Sequence, residues 1–324
     1  MNIICLSERE IKKCITMTDA ISAMESAFLQ LARQQVILPL RTAIPIKNEH
    51  AISLSMPAYL EQEQQLGIKV VSLFPNNFSQ KIPTINGLIL LLDAKTGQPK
   101  ALMDASYLTA LRTGAISGLA TRLLARKDAS HVAIMGSGSQ AMTQLEAIAH
   151  VRNITHVSIW SRTHEHAISF AKQIEHQFEI QVFADSADAV KEADIICTAT
   201  NSTSPFIHYD DIKPDAHINA IGSHTRNMRE IASDVFKQAI TVVDQIEAAL
   251  SEAGEIIHAI ESNVILPDSL LEIGPILSDA SLTFKDHLTV FKSVGLAIQD
   301  ISVAEMVYKN AIANQMGQHF DLSQ

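Results

Sequence analysis

His131-Val132-Ala133-Ile134-Met135-Gly136-Ser137-Gly138-Ser139-Gln140-Ala141 is the stretch that decides the fold. Five β-prone residues run straight into a G-x-G-x-x-A turn, and helical spacing follows to residue 151. The small residues have separate tasks: Gly136 permits the tight turn, Gly138 lets backbone N–H groups approach a ligand, and Ala141 keeps the helix close to the sheet. An anion at that turn would meet the positive end of the helix dipole and its unbonded N–H donors. In this strand-turn-helix setting, Gly136, Ser137, Gly138, Ser139, Gln140 and Ala141 read as a cradle for the pyrophosphate of a dinucleotide. A purely structural turn is the alternative, since Gly-rich turns join many strands to helices.

Downstream, strand-sized apolar runs alternate with helical ones. Strands are expected at 131–135, 157–160, 181–183, 194–200, 217–221 and 239–243, with helices at 139–151, 164–178 and 185–191. That alternation predicts right-handed βαβ units, hence an α/β fold with a Rossmann-type doubly wound parallel sheet over residues 119–290. Upstream the pattern differs. Ile21, Met24, Phe28 and Leu31 repeat at helical spacing after a Thr18 or Asp19 cap, giving a helix over 18–33. Short β-prone runs at 41–46, 51–56, 67–74 and 87–93 predict an antiparallel or mixed sheet, and 106–124 a helix leading out. A second, α+β domain is therefore expected over 1–118, with 291–324 returning to it.

The 324 residues suit two domains. Apolar residues at 47 % and charged residues at 19 % exclude a disordered chain, and a net charge of −10 argues against nucleic acid and anionic membrane as partners. No apolar run reaches the ~18 residues of a membrane helix. Cys5, Cys14 and Cys197 lack metal or redox spacing, and the first residues lack a signal-peptide pattern, so a cytoplasmic protein is expected. His164 and His166 are wrongly spaced for a shared helical face, which predicts no metal. Glu247, Glu252 and Glu255 read as a solvated helix face, and Trp160 as packing.

The end of the second βαβ strand tests the cofactor. An NAD-binding chain commonly has an acid there to accept from the ribose 2′-hydroxyl. This chain has Ser161-Arg162-Thr163, and Arg162 can pair bidentately with a 2′-phosphate, which favours NADP with NAD as the alternative. Arg162 as a solvated helix-start residue is the competing reading. Three cations in apolar settings also need an explanation: Arg41 in Leu-Pro-Leu-Arg-Thr, Lys69 in Gly-Ile-Lys-Val-Val, and Arg112 in Ala-Leu-Arg-Thr-Gly. A buried cation needs a carboxylate neighbour or a bound anion. The ordinary alternative, for Arg41 and Lys69, is a side chain snorkelling from a strand edge.

Taken in order, Leu38-Pro39-Leu40-Arg41-Thr42, Met56-Pro57-Ala58-Tyr59, Gly67-Ile68-Lys69-Val70, Ala110-Leu111-Arg112-Thr113-Gly114-Ala115 and the glycine turn resemble the ornithine cyclodeaminase/mu-crystallin family. Ile218-Asn219-Ala220-Ile221-Gly222, Glu252-Ala253-Gly254-Glu255 and Thr289-Val290-Phe291-Lys292-Ser293-Val294-Gly295 extend the resemblance over nearly the whole chain. It implies a homodimer, an NAD(P)-binding Rossmann domain and a substrate and dimerisation domain. It also implies that Arg41, Lys69 and Arg112 surround a substrate carboxylate, with Lys69 nearest the reacting carbon, and that Thr113 touches the cofactor phosphates. Thr198, Thr200, Gly222, Ser223, Ser293 and Val294 would line the path from adenosine to nicotinamide. Met56 and His224 would lie at the substrate.

The family includes cyclodeaminases, alanine dehydrogenases and ketimine reductases. Cyclodeaminases resemble Gly-Ala-Asp-x-Pro-Gly-Lys where this chain has Gly222-Ser223-His224-Thr225-Arg226-Asn227-Met228, which puts His224 at the position of their Asp. They also carry a Glu where Leu54 stands. A His and a Leu cannot replace two carboxylates opposite a second ammonium, and an unpaired buried charge costs several kcal/mol. The expectation is NAD(P)H-dependent reduction of a cyclic ketimine carboxylate such as 1-pyrroline-2-carboxylate or 1-piperideine-2-carboxylate. Lys69 could supply or relay the proton, with His224 as second candidate against a solvated loop histidine. The alternatives are an ornithine cyclodeaminase or alanine-dehydrogenase-like oxidoreductase, and a non-catalytic NADPH-binding protein of the mu-crystallin kind.

Overall fold

The computed structural model describes residues 2–323 apart from 81, 280 and 285. The chain divides into two compact units, Thr113–Gly295 and Met1–Arg112 with Leu296–Gln324.

In Thr113–Gly295 eight strands form one sheet, every neighbouring pair parallel. Their order is Glu179–Val182, His156–Trp160, His131–Met135, Ile195–Thr198, His217–Ala220, Thr289–Lys292, Ile240–Val243, Leu271–Glu272. Ile195–Thr198, His217–Ala220 and Thr289–Lys292 are buried at every position, as a sheet covered on both faces requires. His131–Met135 is the switch point: the chain proceeds outward on one side of it through His156–Trp160 and on the other through Ile195–Thr198. The helix Ala141–Val151 buries Ala141, Leu145 and Ile148 in a core with Val132, Ile134, Val157 and Ile159. Each fully buried Ile or Leu contributes about 1.5–3 kcal/mol relative to exposure. That helix begins at Ala141 rather than 139, so Ser139 and Gln140 belong to the turn. Thr289–Lys292 lies between two strands that precede it in sequence, a placement that local pattern cannot specify.

In the other unit eight strands form a mixed sheet. Gln318–Asp321, Asn2–Leu6, Pro99–Asp104, Ile85–Asp93, Gln65–Leu73, Ala51–Leu60 and Val36–Ile37 follow in order, and Thr42–Ile46 also pairs with Ala51–Leu60. The pairing of Asn2–Leu6 with Pro99–Asp104 is parallel and the rest are antiparallel. The helix Met17–Ala32 starts one cap earlier than the apolar spacing indicated. Thr16 and Asp19 form a reciprocal capping box, the Asp19 N–H donating to Thr16 Oγ1 at 3.2 Å and the Thr16 N–H to Asp19 Oδ2 at 3.1 Å. The helix Ala297–Ala313 packs against the middle strands and against Met17–Ala32. Along Gln65–Leu73 alternate residues Gln65, Gly67, Lys69 and Val71 are buried, and a Cβ at Gly67 would stand 2.7 Å from Ile301 Cδ1. This alternation turns Lys69 toward the C-terminal helix. Among the described residues, no helix is long and apolar enough to cross a membrane, and no group of three or more His, Cys, Asp or Glu could hold a metal ion.

Candidate active site

The glycine turn has the shape its residue types dictate. Gly136 adopts φ +109°, and a Cβ there would come 2.7 Å from the Ala199 carbonyl oxygen. At Gly138 a Cβ would meet no heavy atom within 4 Å among the described residues, so backbone lies open to a ligand at that point. No acidic residue stands in the first turn of Ala141–Val151 and no side chain caps it; the Ala141 N–H donates to the Gly138 carbonyl at 3.1 Å, which leaves the N–H groups of Met142 and Thr143 to an anion. The Gly136 N–H donates to the Trp160 carbonyl at 2.8 Å, and Ser137 Oγ to Ser161 Oγ at 3.1 Å, tying the turn to the end of the second strand. Arg162 and Thr163 are exposed beyond it. Trp160 stacks against Phe206 with ring centroids 5.0 Å apart and donates to the Ala184 carbonyl. An open turn, first-turn donors at Met142 and Thr143, and the exposed cation Arg162 after the second strand fit a dinucleotide.

Thr198, Thr200, Gly222 and Ser223 come together in this unit around a carboxylate that the sequence reading overlooked, Glu230. Burial, and then the neighbouring Glu255, push its carboxyl above the usual range, while Lys292 and its hydrogen-bond donors oppose the shift. Asp244, equally buried, accepts from Ser293 Oγ at 2.8 Å and from the N–H groups of Val294 and Gly295 at 2.9 Å. The Thr113 carbonyl accepts from Gln144 Nε2 at 3.0 Å. His224 is half-buried, and its Nδ1 lies 2.8 Å from the Gly222 carbonyl, which can only accept, so Nδ1 carries the proton. Glu255 overturns the expectation of a solvated acidic face. It is 1 % exposed and paired with Lys292 at 2.9 Å, because Gly254 lets the helix sink against the carbonyls of the 225–228 segment. Glu247 is exposed and Glu252 half-buried.

The cations belong to the other unit. Lys69 is 1 % exposed and Arg112 7 %, so neither snorkels. Both meet Asp300, itself fully buried: Lys69 Nζ at 2.6 Å from Oδ2 and Arg112 Nε donating to Oδ1 at 3.0 Å. Arg112 Nη1 donates to Gln299 Oε1 at 2.8 Å. Arg41 is half-buried just before Thr42–Ile46, and its charge acts on Lys69. Met56, 4 % exposed, lies opposite Lys69 in the register of the adjoining strand, and Leu54 opposite Val71. Burial lowers the Lys69 ammonium to about 8; Asp300 raises it, while Arg112 and Arg41 lower it further. One acid against two buried cations leaves Lys69, Arg112 and Asp300 with a net positive charge, an arrangement that calls for an anionic ligand. Asp300 and Gln299 escaped the sequence reading. Their signal was a polar pair embedded in the apolar run Leu296-Ala297-Ile298-Gln299-Asp300-Ile301-Ser302-Val303.

A family model described as the ornithine cyclodeaminase/mu-crystallin family matches residues 2–315. The chain belongs to this family. A fellow member, a Delta(1)-pyrroline-2-carboxylate reductase of Bacillus cereus, is 38 % identical over 322 residues, covering 98 % of this chain and 99 % of that protein. Two solved structures share the fold throughout. The Thermococcus litoralis Delta(1)-pyrroline-2-carboxylate reductase, in complex with NADH and L-proline, has a TM-score of 0.94 at 36 % identity, covering 98 % of this chain and 99 % of that one. An archaeal alanine dehydrogenase dimer with bound NAD has a TM-score of 0.93 at 32 % identity, covering 99 % and 100 %. Membership in the ornithine cyclodeaminase/mu-crystallin family thus accompanies the α/β fold built above, a parallel doubly wound sheet plus a second α+β unit.

Proposed function

We propose that this protein reduces the C=N bond of a cyclic ketimine carboxylate, 1-pyrroline-2-carboxylate or 1-piperideine-2-carboxylate, to the cyclic L-amino acid with NAD(P)H. The observation that carries the reading is the buried pair of Lys69 and Arg112 sharing the single carboxylate of Asp300. Its surplus positive charge suits one substrate carboxylate. The apolar Leu54 and Met56 beside it suit a ring and offer no partner to a second ammonium. The similarity to reductases named for pyrroline-2-carboxylate, one of them held with NADH and L-proline, supports the same substrate class.

In this mechanism Arg112 and Arg41 hold the carboxylate, with Arg112 oriented by Gln299 and Asp300. Lys69, lowered to about 8, is mostly protonated at pH 7 and close enough to neutrality to give up its proton. It donates to the imine nitrogen, which makes the adjoining carbon electrophilic, and Asp300 stabilises the ammonium when the proton returns. The nicotinamide, when bound, supplies the hydride that completes the C–H bond. Gly136, Gly138 and the first turn after them would hold the pyrophosphate, and Thr113 the phosphates from the helix Ser106–Leu124. The finer assignment is NADP over NAD: Arg162 is exposed after the strand His156–Trp160 and could pair with a ribose 2′-phosphate, and no carboxylate stands among Ser161, Arg162 and Thr163.

The unit formed by Met1–Arg112 and Leu296–Gln324 is assigned to substrate binding and dimerisation, and Thr113–Gly295 to the coenzyme. Val70 at 40 % and Leu88 at 51 % exposure, paired across neighbouring strands on the face opposite Lys69, are apolar area that a homodimer would cover. The three free thiols support a reducing, cytoplasmic location.

The test is coenzyme oxidation with the full-length protein and 1-pyrroline-2-carboxylate, 1-piperideine-2-carboxylate, or pyruvate plus ammonia, beside ammonia release from ornithine with NAD. Turnover is expected with one or both cyclic imines. Faster turnover of pyruvate with ammonia, or of ornithine, would replace this reading. NADPH binding without turnover of any would make the protein a binder.

A further inference from the structure

The ends of two strands in Thr113–Gly295 are tied by one carboxylate. Glu230 lies in neither helix nor strand and is fully buried. Its Oε1 accepts from the Thr200 N–H at 2.6 Å. Its Oε2 accepts from Thr198 Oγ1 at 2.8 Å and from the N–H groups of Gly222 and Ser223 at 2.9 and 3.2 Å. Four donors at and just beyond the ends of Ile195–Thr198 and His217–Ala220 therefore converge on an acceptor-only group. The approach is tight enough that any Cβ on Gly222 would collide with Glu230 Oε1 and the Thr200 backbone.

The acid is itself anchored. Its backbone N–H donates to Glu255 Oε2 at 2.9 Å, and Glu255 Oε1 pairs with Lys292 Nζ at 2.9 Å on the next strand of the sheet. Gly254 makes that anchor possible, since a Cβ there would stand 2.7 Å from the Arg226 carbonyl oxygen and 2.8 Å from that of Thr225. An unpaired buried carboxylate is costly, so one that spends all four contacts on two loop ends fixes where those ends lie.

Topology says what the ends do. A dinucleotide with its pyrophosphate at the switch after His131–Met135 extends its two halves to opposite sides of that strand. Ser161 and Arg162, after His156–Trp160, take the adenosine side. The other side belongs to the ends of Ile195–Thr198 and His217–Ala220. We infer that Glu230 is a positioning residue for the nicotinamide half of the coenzyme, acting through Thr198, Thr200, Gly222 and Ser223. This rests on the coenzyme reading above. A displacement of about 1 Å at such a position is enough to lower catalysis about 100-fold.

The experiment compares dissociation constants of NADH and of ADP-ribose, which lacks the nicotinamide, for the full-length protein and its Glu230→Gln variant. A glutamine amide must turn an N–H2 toward some of the four donors. NADH is expected to weaken about 10- to 100-fold, with ADP-ribose changed by less than about threefold. Equal weakening of both, or of neither, overturns the inference. Failure of the unaltered protein to bind either ligand would instead remove the coenzyme reading. Should Glu230→Gln not fold, Thr198→Val decides: it deletes one donor at constant shape. NADH is then expected to weaken by about three- to tenfold with ADP-ribose unaffected, and unaltered NADH binding refutes the role.

Discussion

Asp300→Asn removes the charge that Lys69 Nζ approaches at 2.6 Å and Arg112 Nε at 3.0 Å, while keeping the volume of the side chain. Two unit charges about 4 Å apart interact by about 4 kcal/mol at an effective dielectric near 20, and breaking a buried pair by deleting one partner costs about 3–5 kcal/mol. The effect on Lys69 has a definite sign. Burial, Arg112 and Arg41 all depress its ammonium and Asp300 alone among the named neighbours raises it, so the value falls below about 8 when the acid is lost. A neighbouring opposite charge favours the charged form, so losing it moves the Lys69 titration clearly to the acid side of its value in the unaltered protein. If protonated Lys69 delivers the proton, the rate of imine reduction falls as pH rises through its pKa. The alkaline limb of kcat/KM should move from about pH 8 to distinctly lower pH.

Stability follows the same titration. Lys69 has its folded value depressed from 10.5 to about 8, so unfolding takes up a proton between those pH values and stability rises with pH across that window, by at most about 3 kcal/mol. In Asp300→Asn the window opens lower, and adding Lys69→Met to that variant should recover part of the lost stability. The assays are coenzyme oxidation with 1-pyrroline-2-carboxylate from pH 5 to 10 and thermal unfolding over the same range. An alkaline limb that stays near pH 8 in Asp300→Asn would refute Lys69 as the proton source. An unchanged unfolding temperature would refute the account of the buried charges.

The two glycines of the turn should separate fold from function. Gly136→Ala is strained by φ +109° and by contact with the Ala199 carbonyl, so it lowers the unfolding temperature, whereas Gly138→Ala leaves it unchanged and weakens dinucleotide binding about tenfold or more. Arg162→Ala is expected to weaken NADPH by about tenfold or more and NADH by less than about threefold; equal losses in titrations of the two coenzymes would end the argument for a 2′-phosphate contact.

Much of the architecture is legible in the chain. Apolar runs of strand length separated by helical runs predict the parallel sheet, since a strand buried on both faces needs no alternation and its crossover needs a helix. The runs 131–135 and 106–124 coincide with observed elements. Asn2–Leu6, Pro99–Asp104 and Gln318–Asp321 are less legible, because short edge or central strands acquire their identity from partners far away in sequence. Thr289–Lys292 reads as a motif, but its place between two earlier strands does not follow from periodicity.

The candidate site divides in the same way. Residue types, glycine spacing and cations in apolar runs are local properties, and they single out the turn at 136–141 and the residues Lys69 and Arg112. Their counter-charges are not local. Asp300 lies 188 residues beyond Arg112, and Glu230 draws on donors up to 32 residues before it. A carboxylate in an apolar run shows only that some partner must exist; which cation or N–H group it meets depends on sheet order and on the helix laid across it. The chain alone thus determined which groups had to be neutralised, because burial of a charge is penalised wherever it occurs. Only the tertiary structure decided how, because one acid between two cations leaves a surplus that an isolated sequence cannot count.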